Sequence, residues 1–247
     1  VLATARKEND VTRLQQSGLR AHKLDLNDEH SIEAAAEWAL AESDGQLYAL
    51  INNGAYGQTG AIEDLPTQAL REQFNTNLFG WHHLLRLILP TMLQQNRGRI
   101  IQISSVLGLV AMKYRGAYNA SKFALEGYSD TLRLELAGSG VHISLIEPGP
   151  IDTRFRANAR SAFLRHIDPA QSRHQSAYRQ TLTRLEKEGA TSGFTLSSEA
   201  CIPPLLHALT HAHPKARYPV TTPTRLFAFL RRVLPTRWLD KLLAKSA

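Results

Sequence analysis

Three features of this 247-residue sequence predict a doubly wound α/β fold, a mostly parallel sheet with helices on both faces. Short apolar strands alternate with helical stretches at the spacing of βαβ units. Two of those strands, 47–51 and 141–146, are almost unbroken apolar runs, as expected where a sheet is covered on both sides. The strand ends carry polar, glycine or proline residues: Asn52-Asn53-Gly54, Ser104-Ser105 and Pro148-Gly149-Pro150. Right-handed crossovers bring such ends to one edge of the sheet, where ligands bind.

The elements follow in order. Residues 1–5 read as a strand with no turn or cap before them. A short helix over 11–16 is closed by Gly18, and 21–26 form a second strand with Asp25 at its end. Ser31 is the expected N-cap of a helix over 32–41, which is rich in Ala and Glu and is broken at Gly45. The strand 47–51 runs into Asn52, and a loop with Gly57 and Gly60 follows. Residues 67–94 are helical, with Pro90 expected to bend them. The strand 100–103 ends in Ser104 and Ser105. The helix carrying Tyr118 runs on through Leu136, closed by Gly138 and Gly140, and the strand 141–146 follows.

Beyond residue 153 the pattern changes. Residues 154–195 are polar and basic, helical in places and without strand signals, and read as a substrate lid. A helix over 198–212 is interrupted near its start by Pro203 and Pro204, and 218–221 suit a short edge strand. Residues 223–245 are an amphipathic helical region broken at Pro235. The chain shows neither an internal repeat nor a low-complexity segment.

Composition excludes several classes. The net charge is +7, yet the basic residues are not interleaved with aromatics, and neither zinc-ligand spacing nor a helix-turn-helix pattern accompanies them. Nucleic acid is therefore not expected as a partner, and no metal site is; a basic surface that attracts anionic phosphates is the milder reading. No run approaches the ~18 apolar residues of a membrane span. The single cysteine, Cys201, forms no internal disulfide, reads as a plain buried thiol and fits a reducing cytoplasm.

The chemistry lies between residues 100 and 122. Lys122 follows Tyr118 by four residues, which sets a phenol and an ammonium on one helix face, one turn apart. A neighbouring cation favours phenolate, so the pair is expected to exchange a proton with a substrate oxygen near neutral pH. Ser105, at a strand end thirteen residues before Tyr118, is placed to hold that oxygen. The constellation suits carbonyl–alcohol interconversion.

With the Asn-Asn turn after one buried strand and the Pro-Gly-Pro after another, these residues resemble the short-chain dehydrogenase/reductase family, closely over 1–153 and more loosely in the tail, which is similar to tails of retinol and hydroxysteroid dehydrogenases. The resemblance implies a Rossmann-type sheet and a role for each matching residue. Tyr118 matches the general acid/base, and Lys122 the residue that lowers the tyrosine pKa and holds the nicotinamide ribose. Ser105 matches the serine that binds the substrate oxygen, while Ser104 is the structural serine of the pair. Asn77 matches the asparagine of a proton relay and aligns better than Asn75. Asn52, Asn53 and Gly54 lie where backbone approaches the cofactor ribose; the family order Asn-Asn-Ala-Gly is changed here by exchange of Gly54 and Ala55, a variant expected to be tolerated. Asp25 matches the acid that bonds the adenine, against the plainer reading of a turn aspartate. Pro148, Gly149, Ile151 and Thr153 match the segment that cradles the nicotinamide. At the end of the strand 1–5, where family members that use NAD place a carboxylate, stand Arg6 and Lys7; a guanidinium fork there suits a 2′-phosphate, so NADP(H) is the expected cofactor.

The family's first strand and its glycine-rich pyrophosphate turn have no match. The expectation is an N-terminally incomplete sequence, whose chain binds cofactor weakly and is of low stability, since the missing strand would lie between 1–5 and 47–51. The expected organisation is an incomplete dinucleotide-binding core with the catalytic residues over 1–153, a lid and the end of the same domain over 154–222, and a basic amphipathic tail over 223–247. From 215 onward eight Lys/Arg, Lys245 among them, face a single acid, Asp240. Docking of the tail on its own domain or on another subunit, as a dimer or tetramer, is the first reading, and peripheral membrane contact the second. The expected function is NADPH-dependent, reversible reduction of a hydrophobic aldehyde or ketone, such as a long-chain aldehyde, retinoid or steroid. The alternative is a non-catalytic NADP-binding or scaffold protein on the same fold.

Overall fold

The computed structural model describes residues 1–187, 189–190 and 192–245, with the side chain of Lys245 outside that description. Among the described residues six strands, all parallel to their neighbours, form the sheet in two pieces. Strands β3 (Ala49–Asn52), β4 (Gly98–Ile103), β5 (Val141–Glu147) and β6 (Arg217–Pro219) lie side by side in that order. Strands β1 (Leu2–Ala5) and β2 (Arg20–Lys23) pair separately, and no strand among the described residues joins β1 to β3.

Helices cover both faces, and the period of two along each strand decides which residue meets which helix. Ile100 of β4 is flanked in register by Leu50 and Ile143. All three pack with Ile32 of α2 (Glu29–Glu42) and with Leu85, Ile88 and Met92 of α4 (Gly80–Gln94). The next residue, Ile101, faces the other way and packs with Ile146, Tyr218 and Ala208 of α8 (Ile202–Thr210). Both isoleucines are fully enclosed, as expected for a strand covered on both faces. The remaining helices are α1 (Glu8–Gln16), α3 (Thr67–Phe74), α5 (Gly116–Glu135), α6 (Phe155–His166), α7 (Gln175–Glu186), α9 (Thr222–Val233) and α10 (Thr236–Lys245).

Several local expectations are corrected. The N-cap of α2 is Asp28, whose carboxylate accepts from the His30 and Ser31 amides; the Ser31 hydroxyl instead accepts from the Asp25 amide at 2.9 Å. Strand β2 ends at Lys23 rather than 26, because Asp25 accepts from the Asn27 amide at 3.0 Å and turns the chain. Pro90 sits inside α4, and the helical stretch 67–94 is divided by a π turn over Asn75–Phe79. Pro203 and Pro204 fall in the first turn of α8, where a missing N–H costs no helical bond, so they begin the helix rather than interrupt it.

The tail breaks at Pro235 into α9 and α10 and docks on its own domain. Phe227, Leu239 and Leu243 pack against Val106, Leu107 and Val110. The Arg231 guanidinium lies 4.9 Å from the centre of the Phe123 ring. Among the described residues no helix is long and apolar enough to cross a membrane.

Candidate active site

The ends of β3, β4 and β5, the first turns of α5 and the segment 148–156 surround one cavity of about 1020 Å³. That volume is at the upper end of the range for small-molecule sites. Asn53, Ser104, Ser105, Tyr118, Lys122, Pro148, Gly149, Ile151 and Thr153 line it, so most residues singled out from the sequence meet in one place.

Ser105 leaves β4 in extended backbone, and its hydroxyl accepts from the Leu107 amide at 3.1 Å, which starts a short 3₁₀ turn over Val106–Gly108. Tyr118 lies in the first turn of α5, buried among Val106, Leu107, Val110 and Leu243, with its ring edge-on to Phe155 at 5.3 Å. Lys122, one turn further and fully buried, donates to the Ile103 carbonyl at 2.7 Å. Its ammonium lies 4.6 Å from the centre of the Trp81 ring and 5.8 Å from that of Tyr118. The Trp81 indole is fixed in turn by donating to the Gly54 carbonyl at 2.9 Å.

The electrostatics depart from the expectation of a phenol tuned down by its neighbouring lysine. Burial pushes Tyr118 up to about 12, against the opposing pull of the Ser105 hydroxyl and the Arg115 charge. Lys122 is itself pushed down to about 7 by burial, with Glu126 opposing. Both groups lose more by desolvation than they gain from charged neighbours, and the cation that acts on the phenol is Arg115.

Asn77 is buried in the π turn with its amide fully engaged. Its oxygen accepts from the Tyr56 amide at 3.2 Å, and its nitrogen donates to the Tyr56 carbonyl at 3.0 Å and to Ser121 Oγ at 3.2 Å. It thereby ties the loop after β3 to α5. Asn52 is buried, with its amide nitrogen lacking a hydrogen-bond partner among the described residues. A Cβ on Gly54 would stand 3.1 Å from Leu26, so backbone is exposed there at close quarters. The Thr153 hydroxyl accepts from the Phe155 amide at 3.2 Å, and the Ile151 backbone bridges to Leu196. Asp25 is not brought to the cavity; its carboxylate serves the turn to Asn27. Arg6 and Lys7 are exposed at the end of β1 and enter no ion pair among the described residues, while the Arg6 charge reaches Tyr56 in the loop after β3. The single cysteine lines the cavity wall, half-buried, its thiol pushed up by burial.

Behind the site lies a charged cluster that sequence reasoning missed. Ser104 donates to Glu126, and the Arg217 guanidinium forks onto Glu126 at 3.0 Å and Asp130 at 2.8 Å. Glu147, almost wholly enclosed at the end of β5, lies 3.2 Å from the same arginine, and burial pushes it up to about 8. A carboxylate closing an apolar strand was the available signal; Arg217, from a distant segment, had none.

A serine, a buried tyrosine and a buried lysine thus meet on the strand-end edge of a parallel sheet. The short chain dehydrogenase family model matches residues 1–163, and the chain belongs to that family. It is 40% identical over 243 residues to YbbO, an uncharacterized oxidoreductase of Escherichia coli K12, covering 98% of this chain and 84% of that one. Human retinol dehydrogenase 8 is 36% identical over 152 residues, covering 53% of this chain and 49% of that protein. Among solved structures, a short chain dehydrogenase/reductase from Burkholderia phymatum in complex with NAD superposes with a TM-score of 0.77 at 26% identity, over 94% of this chain and 83% of that one.

The residues present fit a nicotinamide dinucleotide. Asn52 offers a buried amide donor with no acceptor among the described residues, and Gly149, which lines the cavity, brings backbone so close to Thr221 that a Cβ would stand 2.1 Å from its hydroxyl.

Proposed function

We propose that the chain is an NADPH-dependent reductase of aldehydes or ketones, reversible as an alcohol dehydrogenase. The observation that supports this best is the convergence of Ser105, Tyr118 and Lys122 on one cavity with the segment 148–153. When bound, the nicotinamide supplies the reducing equivalent. Tyr118, protonated at working pH, gives its proton to the carbonyl oxygen, and the Ser105 hydroxyl donates to the same oxygen and polarises the carbonyl. Lys122, held by the Ile103 carbonyl, is the group that would bind the nicotinamide ribose in this reading. Asn77 holds the loop after β3, at Tyr56, against Ser121 of α5. The preference for NADP(H) rests on Arg6 and Lys7, two cations without carboxylate partners among the described residues at the end of β1.

The apolar wall formed by Met112, Phe155, Phe194, Leu226 and Phe227 favours a hydrophobic substrate. Assembly with a second subunit and contact with a membrane surface both rest on the exposed side of α9 and α10, where Phe229, Val233 and Trp238 are more than half exposed. Co-sedimentation with anionic liposomes, with and without residues 223–247, separates the two.

The test of function is oxidation of NADPH, against NADH, with aldehydes and ketones of graded chain length. Turnover with NADPH that grows with chain length is expected. A Tyr118→Phe variant that turns over as fast as the parent would favour the scaffold reading.

A further inference from the structure

The cavity carries a charge pattern that carbonyl chemistry does not require. Lys122, Arg115, Arg156 and Arg184 all line it, and no carboxylate does among the described residues. Lys122 is held by a backbone carbonyl, and Arg156 by Asp152 at 2.8 Å and by the Gly189 carbonyl, while its other terminal nitrogen is buried without a partner among the described residues. Arg115 and Arg184 enter no ion pair among the described residues, and the side-chain contact of Arg115 is the Met112 sulfur at 3.5 Å.

Electrostatics link these groups in pairs. The Tyr118 phenol feels Arg115, Arg115 feels Arg184, and Arg184 feels Arg156. The three guanidinium groups are thus a row of successive neighbours lining one cavity. Burial and the like-charged neighbour act together on Arg115, pushing it down to about 10, and on Arg184, which is lowered by the same two causes. Like charges gathered in a partly apolar cavity are costly unless an anion is shared among them.

The backbone holds the first member of the row in place. Tyr114 adopts a positive φ of 60°, its carbonyl accepts from the Gly60 amide at 2.8 Å, and Gly60 and Arg115 form a β-bridge. The Tyr114 ring packs edge-on to His174 and Tyr178. Arg115 thus leaves a constrained turn directly into α5, unlike an arginine on a free surface.

We propose that the row Arg115–Arg184–Arg156 binds an anionic group of the substrate, a carboxylate or a phosphate. The preferred carbonyl compound then has an apolar body and an acidic end, rather than being neutral throughout. Planar guanidinium forks match both anions, and burial strengthens the bond. The proposal rests on the reading of Tyr118 as proton donor only in naming the bound molecule a substrate. The phosphates of a cofactor are the other source of the same chemistry.

The test is calorimetric and needs no turnover. The full chain is titrated with ω-hydroxy fatty acids and with diols of matched length, from short to long. At one length or more the acid binds roughly tenfold tighter than its diol, as one charge-assisted contact predicts. In Arg115→Gln and Arg184→Gln the ratio falls to about threefold or less, while Arg115→Lys, which keeps the charge, retains most of it. Equal binding of acid and diol at every length overturns the proposal. So do glutamine variants that keep the ratio and weaken NADPH binding instead, because the row then serves the cofactor. Acid selectivity in a chain that reduces no carbonyl supports the anion site and removes the reductase reading alone.

Discussion

Tyr118 and Lys122 show how burial sets the character of single residues. Burial pushes the phenol up to about 12 and the lysine down to about 7, so each is driven towards its neutral form. Removal of the hydroxyl in Tyr118→Phe is expected to lower carbonyl turnover by roughly 10²–10⁴-fold with an unchanged circular dichroism spectrum, as for loss of a general acid. Glu147 gives a stability prediction with a definite sign. Its pKa rises from 4.5 to about 8 on folding, so between those values the folded protein keeps a proton that the unfolded chain has released. Stability contributed by this group is present below about 4.5 and is lost as pH rises towards 8. The melting temperature of Glu147→Gln is therefore expected to gain on the parent between pH 5 and 8; parallel curves would count against it. Glu126 faces the same arginine, so this window belongs to the pair rather than to one carboxylate.

Among the elements, the close approach of the segment 148–153 to the start of α9 stands out. A Cβ on Gly149 would lie 2.1 Å from Thr221 Oγ1 and 2.8 Å from Thr224 Oγ1, and those two hydroxyls bond each other at 2.9 Å. Gly149→Ala is expected to cost about 1–3 kcal/mol in chemical denaturation, as for overpacked sites, and to weaken cofactor binding by displacing the segment. Gly80 is constrained more tightly, since its Cβ would meet the backbone oxygen of Leu26 at 2.3 Å. Backbone yields less readily than a side chain, so Gly80→Ala should destabilise at least as much as Gly149→Ala in the same assay. The π turn before Gly80 belongs to the same design, because it carries Asn77 to the Tyr56 backbone within a stretch expected to be helical throughout.

Across the whole molecule, stability is uneven. The unit β1–α1–β2 contributes only Val11 and Ala21 to the buried apolar set, whereas β4 and β5 supply Ile100, Ile101, Val141, Ile143, Leu145 and Ile146. Amide exchange is expected to run fastest in β1 and β2 by local opening and slowest in β4 and β5. Equal protection in the two pieces of the sheet would show that they open as one. The tail belongs to this scale too, since α9 closes part of the cavity wall with Leu226 and Phe227, while Phe229 of α9 and Trp238 of α10 stay exposed.

The sequence by itself determined the strands, most helices and the grouping of Ser105, Tyr118 and Lys122, because each depends on local periodicity or on spacing within one βα unit. Strands covered on both faces must be apolar, and the i, i+4 step fixes two side chains on one helix face wherever the helix lies. Arg217 behind the site and the row Arg115–Arg184–Arg156 left no such mark, for their members come from separate segments that only packing brings together. The sign of the Tyr118 and Lys122 shifts was likewise decided by the tertiary structure. Adjacent charge can be read from spacing, but desolvation is a property of everything packed around a group, and here it outweighs the charge.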